Sequence, residues 1–274
     1  MAKTRISPVI RPVIASFKTV YYQTTTFSTH GETSAINGLL VMGDAGTGKS
    51  HFVKQALRDA GVQKNVEYIK GGTITAAALY VKLYLNRDPD RIIVIDDVDI
   101  LQSGEIKSKI VPMLLGAVEE GKNRQVTWST ARANSLMEEH NVPMTFNFNG
   151  NIILITNYTL ADIDNKLASF KQAFRSRFTP VECIFTHEQK YLYTKYLVEN
   201  EDMLGKKCKV HEYEHKGKML PGYPEAIIEQ TMDFIDENYM SFTDITPRVC
   251  IKIADTIMYH KGEQQEIMLD NLVK

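Results

Sequence analysis

The octapeptide Gly43-Asp44-Ala45-Gly46-Thr47-Gly48-Lys49-Ser50 constrains the fold of this chain more than any other feature. It fits G-x-x-x-x-G-K-[ST] without departure, between the apolar run Leu39-Leu40-Val41-Met42 and a helical pattern. Glycines at these positions let backbone N–H groups turn inward and cradle phosphate oxygens. The helix that follows adds its positive N-terminal end. Lys49 is then placed to neutralise the β- and γ-phosphates of a nucleoside triphosphate, and the Ser50 hydroxyl to coordinate Mg²⁺. A coincidental glycine-rich turn requires neither the strand before nor the helix after.

The rest of the first two-thirds repeats that strand–helix alternation. Short branched runs at 39–42, 66–69, 91–95, 152–156 and 181–185 read as strands buried on both faces of a parallel sheet. Helical patterns near 50–60, 75–85, 105–119 and 167–175 lie between them. The expected fold is α/β, a P-loop three-layer core with a five-stranded parallel sheet. After Phe185 the strands stop, and segments near 188–199, 223–237 and 246–260 read as helices, the last opening with Thr246-Pro247. The expected organisation is an irregular N-terminal arm over 1–37, the nucleotide-binding domain over 38–186 and a small α-helical lid over 187–274.

Arg91-Ile92-Ile93-Val94-Ile95-Asp96-Asp97 supplies the second half of the site. Its apolar residues form a buried strand whose C-terminal end delivers carboxylates to the ligand edge of the sheet. Asp96 is suited to hold Mg²⁺ through its water shell and Asp97 to polarise an attacking water. A strand ending in solvated acids is the bland alternative; its pairing with the phosphate loop argues against it.

The order of these motifs resembles the AAA+ ATPases, over about residues 36–260. The resemblance implies ATP and Mg²⁺ as cofactors and an ATP hydrolase. In that family the second motif usually ends Asp-Glu, and Asp97 is one methylene shorter, which puts fast turnover in question but not binding. Ile152-Ile153-Leu154-Ile155-Thr156-Asn157 is similar to the strand ending in sensor 1, so Asn157 would contact the attacking water or the γ-phosphate; a turn asparagine after a strand is the competing reading. Ala173-Phe174-Arg175-Ser176-Arg177-Phe178 resembles the arginine-finger segment, with Arg177 the better match and Arg175 the runner-up. Two cations stabilising a helix C-terminus would give the same pattern. Arg248, opening the lid helix, matches sensor 2, against a simple solvated arginine. A finger acting in trans implies a homo-oligomer, often a hexamer.

The general look resembles small stand-alone ATPases of bacteriophages. The leading expectation is action on DNA or a replication protein, in the manner of a helicase loader. The alternatives are a protein-remodelling ATPase and a nucleotide-dependent switch with little turnover. The loop Lys70-Gly71-Gly72-Thr73-Ile74-Thr75 falls at the family's first pore loop but lacks the aromatic of peptide-threading members, and Lys70 could approach a phosphate backbone.

Other features are weaker. His211-Glu212-Tyr213-Glu214-His215 fits H-E-x-x-H, yet its lysine- and glycine-rich flanks suit a solvated loop better than a zinc helix. Lys206, Lys207, Lys209, Lys216 and Lys218 could touch phosphates or simply face solvent. Val126–Ser129 and 144–148 alternate with period two and suggest a hairpin, either projecting toward a substrate or packed on its own domain through Trp128 and Phe146. A net charge of −1 gives no global basic field, and three scattered cysteines suit a reducing compartment. No apolar stretch is long enough for a membrane span, and a cytoplasmic location, in the host if the source is viral, is expected.

Overall fold

The computed structural model describes residues 7–29, 36–97, 104–121, 124–129, 135–208, 211–215 and 217–273. Lys209 and Lys216 of the basic stretch lie outside these residues. In chain order the elements are α1 (Arg11–Thr29), β1 (Gly38–Gly43), α2 (Lys49–Asp59), β2 (Val66–Lys70), α3 (Ala76–Leu85), β3 (Ile92–Asp96), α4 (Gly104–Ala117), β4 (Gln125–Thr127), α5 (Ser135–Glu139), β5 (Thr145–Asn147) and β6 (Asn151–Thr156). Then follow α6 (Leu160–Leu167), α7 (Lys171–Arg177), β7 (Phe178–Cys183), α8 (His187–Glu201), β8 (Glu212–His215), β9 (Lys218–Pro221), α9 (Glu225–Asn238), α10 (Pro247–Tyr259) and α11 (Glu263–Val273). By compactness the described residues divide into one unit within 16–44 and 49–184, and another within 7–15, 45–48 and 185–273.

The first unit is built on a parallel sheet of order β2-β3-β6-β1-β7. Its three central strands are buried along almost their whole length, because helices cover both faces. Leu40, Met42, Ile93, Ile95, Ile152 and Leu154 share one face and one core with α3 and α4. Their strand neighbours Leu39, Val41, Ile92, Val94, Ile153 and Ile155 point the other way and are equally buried. The chain runs from β1 to the far edge at β2, returns through β3 and β6, and adds β7 beyond β1. That reversal opens a crevice at the strand C-termini, where ligands settle in open α/β sheets.

Three expectations are corrected here. The segment read as an irregular arm contains a 19-residue helix, α1. Pro8 and Pro12 start helical turns rather than break them: Ser7 caps a 3₁₀ turn at Pro8–Ile10, and Pro12 is the second residue of α1. Val13, Phe17, Val20 and Thr24 form its buried stripe, with Phe17 stacked on Phe52 at 4.5 Å between ring centroids. The helix placed at 167–175 is two helices, since a capping box at Thr159 and Asp162 starts α6 early and Ala168, at φ +38°, ends it. The last strand begins at Phe178 and ends at Cys183. Pro180 is tolerated because β7 is an edge strand with one side unpaired.

The hairpin forms, β4 pairing antiparallel with β5 in the register Val126 to Phe146. It packs on its own unit: the Trp128 and Phe146 rings lie 5.3 and 5.1 Å from that of Tyr80, whose hydroxyl donates to Pro143 O at 3.0 Å.

In the second unit, α8, α9, α10 and α11 enclose a core that includes Val198, Leu204, Ile235, Phe242, Ile253 and Ile257. Thr186 and Thr246 cap α8 and α10 with their hydroxyls. This unit is not purely helical, for β8 and β9 form a hairpin. The H-E-x-x-H residues are therefore extended chain, in which positions four apart stand about 13 Å from each other. His211 is instead stacked on Tyr223 and bonded to Gly222 O and the Tyr259 hydroxyl. No cluster suited to a metal ion by His, Cys, Asp and Glu occurs among the described residues. No helix among them is long and apolar enough to cross a membrane.

Candidate nucleotide-binding site

The site is assembled by the C-terminal ends of β1, β3 and β6. Gly43, Gly46 and Gly48 hold φ of +132°, +74° and +109°, which a side chain would resist, so the loop needs glycine at these points. Gly43 is doubly required, since a Cβ there would overlap the backbone carbonyl of Cys183 in β7. Lys49 and Ser50 open α2 directly after the loop.

Lys49 is buried to 5% exposure, and its Nζ donates to Gly43 O (2.8 Å), Asp44 O (2.7 Å) and Asn157 Oδ1 (3.0 Å). The ammonium thus reaches across from α2 to the residue that follows β6. Burial lowers its pKa, and the nearby Cys183, Asp44, Asp97 and Asp96 only partly oppose that. A phosphate oxygen would supply the counter-charge that the three neutral acceptors lack. Cys183, by contrast, stays a neutral thiol, its pKa pushed by burial to about 12.

Ser50 Oγ donates to Asp96 Oδ1 at 2.7 Å. A hydroxyl and a carboxylate from α2 and β3 are thereby brought side by side, a pair of hard oxygen donors that fits Mg²⁺. Asp96 is 9% exposed. Asp97 is carried just past β3 at φ +57°, with its N–H bonded to Ile155 O (3.1 Å) and its Oδ1 accepting from Asn157 Nδ2 (2.8 Å). Lys49, Asn157 and Asp97 therefore form one hydrogen-bonded chain, and Ser50 with Asp96 lies beside it.

Residues 39–180, just over half of the chain, match the family model described as ATPase family associated with various cellular activities (AAA). The chain belongs to the AAA family. This AAA protein is 28% identical over 237 residues to an uncharacterized 36.7 kDa protein from the nrdC-mobD intergenic region of Enterobacteria phage T4, spanning 85% of this chain and 67% of that one. Among solved structures it is similar to domain III of the Thermotoga maritima replication initiation protein DnaA, at 13% identity and a TM-score of 0.46, covering 99% of this chain and 100% of that one. It is also similar to a point mutant of Thermotoga maritima RuvB, at 11% identity and a TM-score of 0.48, covering 95% of this chain and 69% of that one.

Of the residues selected from the AAA motifs, the structure brings Lys49, Ser50, Asp96, Asp97 and Asn157 into one cluster. The arginines have other contacts. Arg177, at the end of α7, donates to Leu115 O (3.2 Å) and to Glu119 Oε1 (2.9 Å). Arg175 is ion-paired with Asp164. Arg248 is exposed on the first turn of α10 in the helical unit. Cys183 as a wall of the loop escaped the motif reading, because with β7 placed at 181–185 nothing aligned it with Gly43. In the observed register the two are direct partners.

Proposed function

We propose that this AAA protein binds Mg²⁺–ATP at residues 43–50 and hydrolyses it, and that the cycle drives action on DNA or on a replication protein. The observation that carries the nucleotide reading is the continuous contact set Lys49–Asn157–Asp97 beside Ser50–Asp96 at the ligand edge of the sheet. Backbone N–H groups of the loop and the Lys49 ammonium take the phosphate oxygens. Ser50 and Asp96 would hold Mg²⁺, which when bound would draw charge from the β- and γ-phosphates. Asp97 orients water and accepts its proton, while Asn157 fixes the Asp97 carboxylate and reports on the γ-phosphate. Arg177 of one copy, reaching a neighbouring copy's nucleotide, would complete the charge stabilisation, and the AAA+ resemblance gives Arg248 the sensor 2 role. The DNA reading is supported by the basic Lys70-Gly71-Gly72 loop and by the absence of an aromatic residue from 70–75.

The test pairs two variants. Lys49→Ala removes a charged donor worth about 1.5–3 kcal/mol per hydrogen bond, so ATP affinity should fall by about 100-fold or more. Asp97→Asn should keep binding and lose phosphate release, because its backbone preference and hydrogen-bonding capacity survive but its charge does not. Unchanged ATP affinity in Lys49→Ala would overturn the site; unchanged turnover in Asp97→Asn would move the base elsewhere.

A further inference from the structure

Three cations converge on the β2 edge of the sheet, outside the nucleotide cluster. Ser50, Lys54 and Arg58 follow one another at intervals of four along α2 and so share a helix face. Tyr68 and Lys70 are two apart on β2 and share a strand face, whereas Ile69 points into the core. Glu67, on the Ile69 side, is engaged by Lys82 and lends no negative charge to the Tyr68 side. The two faces meet. Lys70 Nζ lies 5.7 Å from the Tyr68 ring centroid, and Lys54 stands so close to Lys70 that its pKa is lowered, chiefly by that neighbour. Arg58 acts electrostatically on Tyr68 from the same side. Among the described residues, the carboxylate that acts on Lys54 and Tyr68 is Asp96, already bonded to Ser50.

Two lysines facing each other cost energy unless an anion joins them. The surface is also open: Tyr68 is 36% exposed, Arg58 and Lys70 are exposed, and Gly71 and Gly72 follow at φ +57° and +73° with no atom near where a side chain would start. Cations beside an exposed aromatic ring suit a flexible polyanion with flat bases, since the phosphates take the charges and a base stacks on the ring. We propose that Lys54, Arg58, Tyr68 and Lys70 form a binding face for single-stranded nucleic acid. This deepens the DNA reading above and rests on it. The face begins one helical turn from Ser50, so occupancy of the nucleotide site and of the strand are coupled through α2.

The experiment measures binding of a fluorescent oligothymidine to the full chain by anisotropy, with Mg²⁺ and a non-hydrolysable ATP analogue, across a salt series. Lys54→Ala and Lys70→Ala should each weaken binding and lower the slope of log K against log salt by about 0.7. Tyr68→Ala should weaken it by about 5- to 150-fold, the range for losing one stacked base. Lys70→Arg should restore the salt slope. ATP-analogue binding, unchanged in all four, verifies folding. If the wild type binds the strand and the alanine variants bind it equally well, this face is wrong while the DNA reading stands. If the wild type binds no strand with or without nucleotide, the DNA reading and this face fall together. Loss of binding in the lysine variants but not in Tyr68→Ala would overturn the stacking role and with it the single-strand preference.

Discussion

Lys49 is a cation buried among neutral acceptors. Its pKa lies below the ordinary 10.5, so between the two values the unfolded chain binds more protons than the folded one. The stability of the nucleotide-free protein should therefore rise through that window as pH increases, and the penalty should be fully present below it. Denaturation of wild type and Lys49→Met over an alkaline series checks this: the deficit of the wild type should shrink as pH approaches 10.5, and a deficit that grew would reverse the assignment. Asp97 is explained at the same scale. At φ +57° aspartate is among the few side chains that sit tolerably, because its short carboxylate can bond locally. The backbone thus favours the shorter acid at a position where the AAA+ pattern usually has glutamate.

The elements differ in how plainly their residues announced them. β1, β3 and β6 were legible because each is an unbroken branched run, and a central parallel strand has no polar face to confuse the pattern. The phosphate loop and Asp96 were legible because chemistry fixes both spacing and residue type. α1 was hidden by two prolines that normally end structure, although its stripe of Val13, Phe17, Val20 and Thr24 has helical spacing. The start of β7 was hidden by Pro180, which only the edge position excuses. The Lys54–Lys70 proximity could not be read at all, since it joins α2 to a strand at the far end of the sheet. For α1 the structure makes a direct prediction. Phe17→Ala removes a ring 2% exposed and stacked on Phe52, and should cost about 3–5 kcal/mol in chemical denaturation. A cost below about 0.5 kcal/mol, the surface range, would mean α1 is peripheral.

For the whole molecule, the proposed finger role of Arg177 turns on whether copies of the chain meet. Within one chain it pairs with Glu119, whose side chain is 52% exposed while that of Arg177 is 28% exposed. Such a pair is worth about 0–1 kcal/mol, so releasing Arg177 to a neighbour's phosphate is cheap. Arg177→Ala should leave ATP affinity and thermal stability nearly unchanged while turnover in the assembled state falls by about 10³-fold or more. Turnover per chain measured against protein concentration decides it. A wild-type rate independent of concentration, with Arg177→Ala equally active, would remove the finger. If Arg175→Ala is the inactive variant, the role shifts by two residues, and breaking the Asp164 pair would then be the first step of assembly.

The Phe17–Phe52 stack sets a limit on dissection of this protein. The span that carries the AAA signature starts at residue 39, and a fragment cut there would leave the outward side of Phe52 without its aromatic cover. Such a fragment would keep every residue proposed to touch nucleotide and yet present a sticky apolar scar in water. A minimal piece meant to test the proposed nucleotide site must therefore begin at α1, not at the first strand.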